Sequence, residues 1–304
     1  VELTMGDLQN EYVDLIEIIA QRGLPVECRG EKTYEVTNAT LVFPDVTAPL
    51  LPVRVGRKIN LKLAAVETLD MIAGTCHADL VRRAAPEYGD VLVNPADLDY
   101  GAYGPRLTDQ LQRCVTTLRV DPTTRQAVAT VWRSDDLTHD GDRPCTIFMQ
   151  FLIREGELQL HVTMRSNDVW LGTPYDIFAF TQIQRTVAYA LDVPAGPYVH
   201  HATSLHLYAR NLDQAENLSY TTSNSQSLAR AVLPHGVRPP TEVEEPTGRH
   251  NFTMLQNSAF MLLAGALFSS NETPLELPML DGARWENQWY ANQLEKLIAP
   301  KEVS

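Results

Sequence analysis

Arg165-Ser166-Asn167-Asp168-Val169-Trp170-Leu171-Gly172 closes a β-rich run, and Thr173-Pro174-Tyr175-Asp176 leads from it into a helical pattern that ends near Leu191. Before this stretch, Thr146–Ile153 and Leu158–Met164 read as strands, with Glu155-Gly156 between them as a hairpin signal. Antiparallel pairing would set Pro144-Cys145, at the start of one strand, beside Arg165 at the end of the other. A cysteine is a useful nucleophile only as thiolate, and a neighbouring guanidinium lowers its pKa. A strand pair running into a helix, with chemistry-bearing side chains at the junction, predicts an α/β (α+β) fold.

Outward from this core the signals alternate in type. Leu8, Tyr12, Leu15, Ile16 and Ile19 recur at helical spacing, and Gly23-Leu24-Pro25 ends that helix. A loop with Arg29-Gly30 precedes a short strand at Ala39–Phe43, and Pro44, Pro49 and Pro52 break the next stretch of chain. Asn60 to Ile72 reads as a second helix, stopped by Gly74 and carrying Glu67. Residues 75–110 read as irregular. Gln126–Trp132 and Ser204–Tyr208 are strand candidates, Pro239–Gly248 a polar loop, and Met254–Phe268 an apolar, buried helix. No repeat or linker divides the chain, so residues 1–304 are expected to form one domain.

Composition narrows the function. A net charge of -13 over 304 residues excludes sequence-independent binding to a nucleic-acid backbone, which needs basic surface. It leaves room for a mononucleotide, whose phosphate needs only a few arginines. Cys28, Cys76, Cys114 and Cys145 form no CxxC pair, so neither a zinc cluster nor a redox motif is expected. No apolar run reaches membrane-spanning length and no leader is evident, so a cytoplasmic protein is expected.

Several residues carry candidate chemistry, each beside an ordinary structural reading. Cys145 is a nucleophile or an inert core thiol. Glu67 is a general acid/base with a raised pKa or a helix-surface carboxylate. His206 and Tyr208 share a strand face and suit sugar hydroxyls, or close a half-buried strand end. Arg125, after Asp121-Pro122, reads as a phosphate contact or a turn charge. His200-His201 does not make a metal site, because adjacent strand residues point to opposite faces.

Together these residues resemble the thymidylate synthase family, from about Arg29 to Tyr208. Asn60-Leu61 followed by Glu67 is similar to the family's glutamate helix, Tyr103-Gly104 to its Tyr-Gly, and Asp121-Pro122-Thr123-Thr124-Arg125 to its phosphate turn. Pro144-Cys145, the Arg165–Gly172 signature and His206-Leu207-Tyr208 complete the match, and the last 95 or so residues match more weakly. The resemblance implies a large mixed sheet flanked by helices, in a homodimer formed through the sheet. It also implies a pyrimidine nucleoside monophosphate as substrate and 5,10-methylenetetrahydrofolate as co-substrate, with no metal. Residue by residue, Cys145 would add to C6 of the base and Glu67 would relay protons, with Tyr103 in the same network. Arg29, Arg165 and Ser166 would hold the phosphate, and Arg125 would reach the neighbouring subunit's site. His206 and Tyr208 would bind the sugar, while Asp168 and Gly172 would face the folate.

Departures from the family pattern point to a changed reaction. Asp176 stands where the family's uracil-reading asparagine is expected. A carboxylate there suits cytosine, whose N4 amino group donates and whose N3 gains a proton as C6 is attacked. The family's shielding tryptophan is missing near Tyr88-Gly89, which would let water reach the transferred carbon. Thr146 replaces the histidine after the nucleophile, and Gln126 replaces the second arginine of the phosphate turn. The expectation is 5-hydroxymethylation of CMP or dCMP. The alternatives are a cytidylate or uridylate C5-methyltransferase and, in another class, an inactive nucleotide-binding relative.

Overall fold

The computed structural model describes residues 2–5, 8–46, 59–76, 78–85, 100–107 and 109–218. The loop at Pro239–Gly248, the helix at Met254–Phe268, the breaks at Pro49 and Pro52, and the Tyr88-Gly89 region all lie outside the described residues.

The strands are β1 (Glu2–Thr4), β2 (Leu24–Cys28), β3 (Glu31–Phe43), β4 (Val128–Thr130), β5 (Thr146–Arg154), β6 (Glu157–Met164), β7 (Asn167–Asp168) and β8 (Ala195–Tyr208). They form one mixed sheet in the order β1-β3-β8-β6-β5-β4, with β2 paired to β3 and β7 to β8. β5 and β6 pair antiparallel, whereas β6 and β8 run parallel through the crossover helix α6 (Thr173–Leu191). Parallel neighbours require such a crossover, and its helix covers the sheet face it crosses. Alternation along β6 shows the result: Leu158, Leu160, Val162 and Met164 are fully buried, while Gln159, His161 and Thr163 are only half-buried on the other face.

The expected hairpin at Glu155-Gly156 is present, with φ of 54° and 82° at the two turn residues. Both positive values fit a two-residue hairpin turn. Arg29-Gly30 makes a second turn of this kind, φ 53° and 78°, so the expected loop is the tip of a β2–β3 hairpin. β3 is also longer than the expected Ala39–Phe43 strand. Every residue of β2 is exposed, so the hairpin lacks the apolar alternation that would mark it in sequence.

The helix α1 (Leu8–Arg22) buries Leu8, Tyr12, Leu15, Ile16 and Ile19 against the sheet, as the spacing predicts. Helix α2 (Leu61–Ala73) starts at Asn60, whose Oδ1 accepts from the Leu63 N–H at 3.1 Å, and ends at Gly74 with φ 72°. These are side-chain N-capping and left-handed C-capping. The span expected to be irregular holds α3 (Ala78–Ala84) and α4 (Tyr103–Leu107), followed by α5 (Gln110–Val120). Residues 212–216 add α7 (Leu212–Glu216).

Gly104 is where α4 meets α2. A Cβ there would lie 2.0 Å from the Thr75 carbonyl oxygen and 2.4 Å from that of Asp70. Both obstacles are backbone, so neither rotates away. Gly104→Ala is expected to cost about 3 kcal/mol or more of stability through overpacking, read as a lower denaturant midpoint at unchanged slope. A midpoint equal to the parent's would contradict this close approach.

Candidate active site

The site collects at one end of the β5–β6 hairpin, where α2, α4 and the start of α6 converge. The Arg165 N–H donates to the Cys145 carbonyl at 2.8 Å, so thiol and guanidinium share the hairpin end as its pairing requires. Arg165 is itself held firmly. Its Nε donates to the Pro144 carbonyl at 3.0 Å and an Nη to that of Arg143 at 2.9 Å. The guanidinium carbon lies 5.4 Å from the centre of the Trp132 ring, a cation–π contact.

The arginine pulls the thiol's pKa down as expected, but it is not the largest influence on it. Burial dominates and pushes the Cys145 thiol up to about 11, while Arg165 and Arg29 pull it down and Asp176 and Asp142 push it up. Desolvation penalises the thiolate more than nearby cations favour it, so the thiol form is favoured. Alkylation of Cys145 by iodoacetamide, followed by peptide mapping, is expected to quicken about tenfold per pH unit from 7 to 9. A rate already level at neutral pH would contradict a buried, protonated thiol.

Tyr103 sits directly over this cysteine. Its hydroxyl oxygen accepts the backbone N–H groups of Cys145 and Thr146, each at 3.2 Å. Burial, followed by Cys145 and Asp176, holds the phenol well above its ordinary range. The short helix that bears it is anchored by Arg106, which donates to both Asp136 oxygens at 2.8 Å and to the Val131 and Tyr100 carbonyls. A buried bidentate pair with its remaining donors satisfied is a rigid support.

Glu67 projects from α2 toward the same cluster. Burial raises it to about 8, and Asp176 and Asp70 act in the same direction. The position of α2 is tied to α6, because the Tyr175 hydroxyl accepts the Asn60 N–H at 3.0 Å. Asp176 is raised to about 7, chiefly by burial and then by Asp168, against a lowering hydrogen bond from Asn167. That bond runs from Asn167 Nδ2 to Asp176 Oδ2 at 2.8 Å. Asp176 does not begin its helix: α6 starts at Thr173 with Gly172 as N-cap.

The remaining predicted residues fall in distinct places. Arg29 is exposed at the β2–β3 turn, with its charge felt at Cys145. Ser166 is half-buried beside Arg165. His206 and Tyr208 share a face with ring centres 5.2 Å apart, and His206 Nδ1 is buried without a hydrogen-bond partner among the described residues. Asp168 Oδ1 accepts the N–H groups of Trp170 and Leu171 at 2.7 and 3.1 Å, which fixes its carboxylate. A Cβ at Gly172 would press 3.1 Å from Asp176 Oδ2. Arg125 is exposed, with its carbonyl accepting from Gln150 Nε2 at 2.8 Å, and no hydrogen bond or ion pair joins it to the Cys145 cluster among the described residues.

Sequence reasoning missed Asn167, Thr173, Tyr198 and His200. Asn167 Oδ1 is contacted by Thr173 Oγ1 at 2.6 Å and His200 Nε2 at 2.9 Å. Tyr198 and His200 lie on the buried face of β8, which strand alternation applied to His200-His201 would have indicated. No metal-holding group of His, Cys, Asp or Glu occurs among the described residues, and no helix among them is long and apolar enough to cross a membrane. A family model described as thymidylate synthase matches residues 10–230.

Proposed function

This chain belongs to the thymidylate synthase family, which transfers a folate-borne one-carbon unit to a pyrimidine nucleotide, and from that premise we propose that it 5-hydroxymethylates CMP or dCMP. The observation that carries the choice of base is Asp176, a carboxyl with a midpoint of about 7 within electrostatic reach of the thiol. At neutral pH it exchanges a proton readily. It accepts from the cytosine N4 amino group and supplies the proton that N3 gains as C6 is attacked. An amide offers no such exchange.

In this reading the Cys145 thiol passes its proton to ionised Asp176 as the sulfur bonds to C6, Asp176 delivers a proton to N3, and C5 becomes nucleophilic. Glu67, held partly protonated near neutrality, takes and returns protons around C4 and C5, and Tyr103 assists from the far side of the thiol. Arg29, Arg165 and Ser166 hold the phosphate; His206 and Tyr208 hold the sugar, where the orphaned His206 Nδ1 gains a partner. The carboxylate of Asp168 suits the N–H donors of a pterin ring, and Gly172 keeps that approach clear of a side chain. When bound, 5,10-methylenetetrahydrofolate would supply the carbon that C5 acquires. Glu67 then takes the proton from C5 as tetrahydrofolate leaves, water adds to the transferred carbon, and the bond from sulfur to C6 breaks as N3 gives up its proton, returning the thiol.

The half-buried sheet face bearing Gln159, His161 and Thr163 is the surface through which two copies would pair, with Arg125 of each reaching the other's phosphate. Tritium release from C5 across CMP, dCMP, UMP and dUMP, with methylenetetrahydrofolate present, tests the base. Release from a cytidylate is expected. Release from a uridylate alone would overturn the role given to Asp176 and favour a thymidylate synthase-like methyltransferase.

A further inference from the structure

We propose that Tyr198, His200 and Asn167 are positioning residues, a one-directional hydrogen-bond chain that fixes one oxygen of Asp176 as an acceptor only, so that the proton exchanged with the base is carried by the other. The chain begins at Tyr198, which is fully buried. Its hydroxyl has one hydrogen-bond partner among the described residues, His200 Nδ1 at 2.7 Å. A buried hydroxyl proton left without an acceptor is costly, so Tyr198 donates and Nδ1 accepts.

The direction then propagates without choice. His200 is fully buried, and burial, aided by His201, depresses its pKa to about 3, so the ring carries one proton. With Nδ1 accepting, that proton is on Nε2, which donates to Asn167 Oδ1 at 2.9 Å. Thr173 Oγ1 donates to the same oxygen at 2.6 Å. Both lone pairs of Asn167 Oδ1 are thus occupied, and the amide cannot flip. Its Nδ2 must face Asp176 Oδ2, 2.8 Å away.

Asp176 is constrained in two ways as a result. Oδ2 is held as an acceptor, so any proton on the acid resides on Oδ1. The donated bond also holds down the midpoint of a carboxyl otherwise pushed up by burial. Ionisable neighbours come from every side: Glu67 on α2, Tyr103 on α4, Cys145 before β5, Asp168 on β7 and Tyr198 on β8. The chain's effect is therefore measured as a change at Asp176 with those groups kept.

This inference rests on Asp176 meeting the base only for its effect on substrate choice; the chain itself is testable without substrate. Nitrogen NMR of histidine-labelled protein is expected to show His200 as one Nε2–H tautomer that does not titrate between pH 5 and 9. An Nδ1–H tautomer would overturn the proposal in the parent protein alone. In Tyr198→Phe, the carboxyl-carbon midpoint of Asp176, assigned with Asp176→Asn, is expected to rise by about one pH unit, and the cytidylate-over-uridylate ratio of kcat/KM to fall about tenfold. His200→Gln, which keeps one donor and one acceptor, should stay nearer the parent than His200→Leu. An unmoved midpoint in folded Tyr198→Phe would overturn the chain even if Asp176→Asn changes the base preference. A raised midpoint with neither variant changing that preference would uphold the chain and overturn the reading of Asp176.

Discussion

Cys145→Ser is expected to lower turnover by about 10⁴-fold or more while nucleotide affinity, read by calorimetry, changes by less than about threefold. In the proposed mechanism the sulfur contributes through bond formation to C6, and an alkoxide is far harder to generate than a thiolate in the same buried place. Burial already pushes the thiol to about 11, so a hydroxyl there would be essentially never ionised. The phosphate and sugar contacts are proposed for other residues and should persist. A serine variant with turnover within tenfold of the parent would remove covalent addition from the mechanism. Equal nucleotide binding by both proteins, with turnover in neither, would favour an inactive binding relative.

Asp176→Asn is expected to move the kcat/KM preference from cytidylate toward uridylate by about 10³-fold. Cytosine offers an amino donor and a ring nitrogen that must gain a proton, which suits a carboxyl that titrates near 7. The uracil edge offers an acceptor at O4 and a donor at N3, which an amide matches. The substitution also removes a charge that raises the pKa values of Cys145, Glu67 and Tyr103. The thiol should therefore alkylate faster at pH 8 in the variant, a readout independent of the substrate. An unchanged base preference would sink the reading role of Asp176.

Much of this site was legible because its spacing reflects simple geometry. Cys145 and Arg165 meet because Glu155-Gly156 closes a two-residue turn, and Glu67 is placed by a helix whose Asn60 and Gly74 mark both ends. The β2–β3 hairpin was not legible, since its first strand is exposed along its whole length. Nor were the helices at Ala78–Ala84 and Tyr103–Leu107, which are too short for periodicity to register. Asn167 escaped notice because its importance lies in its partners: Thr173, Asp176 and His200 converge on it only after β7 pairs with β8. The thiol's net state was not legible for a related reason. Sequence places an arginine beside a cysteine but does not give the burial that outweighs it.

The mass of the nucleotide formed from CMP or dCMP with methylenetetrahydrofolate distinguishes hydroxymethylation from methylation. The expected product is a cytidylate enlarged by one carbon, two hydrogens and one oxygen, the oxygen taking the label of isotopic water. A cytidylate or uridylate that gains a methyl group and no oxygen would contradict hydroxymethylation.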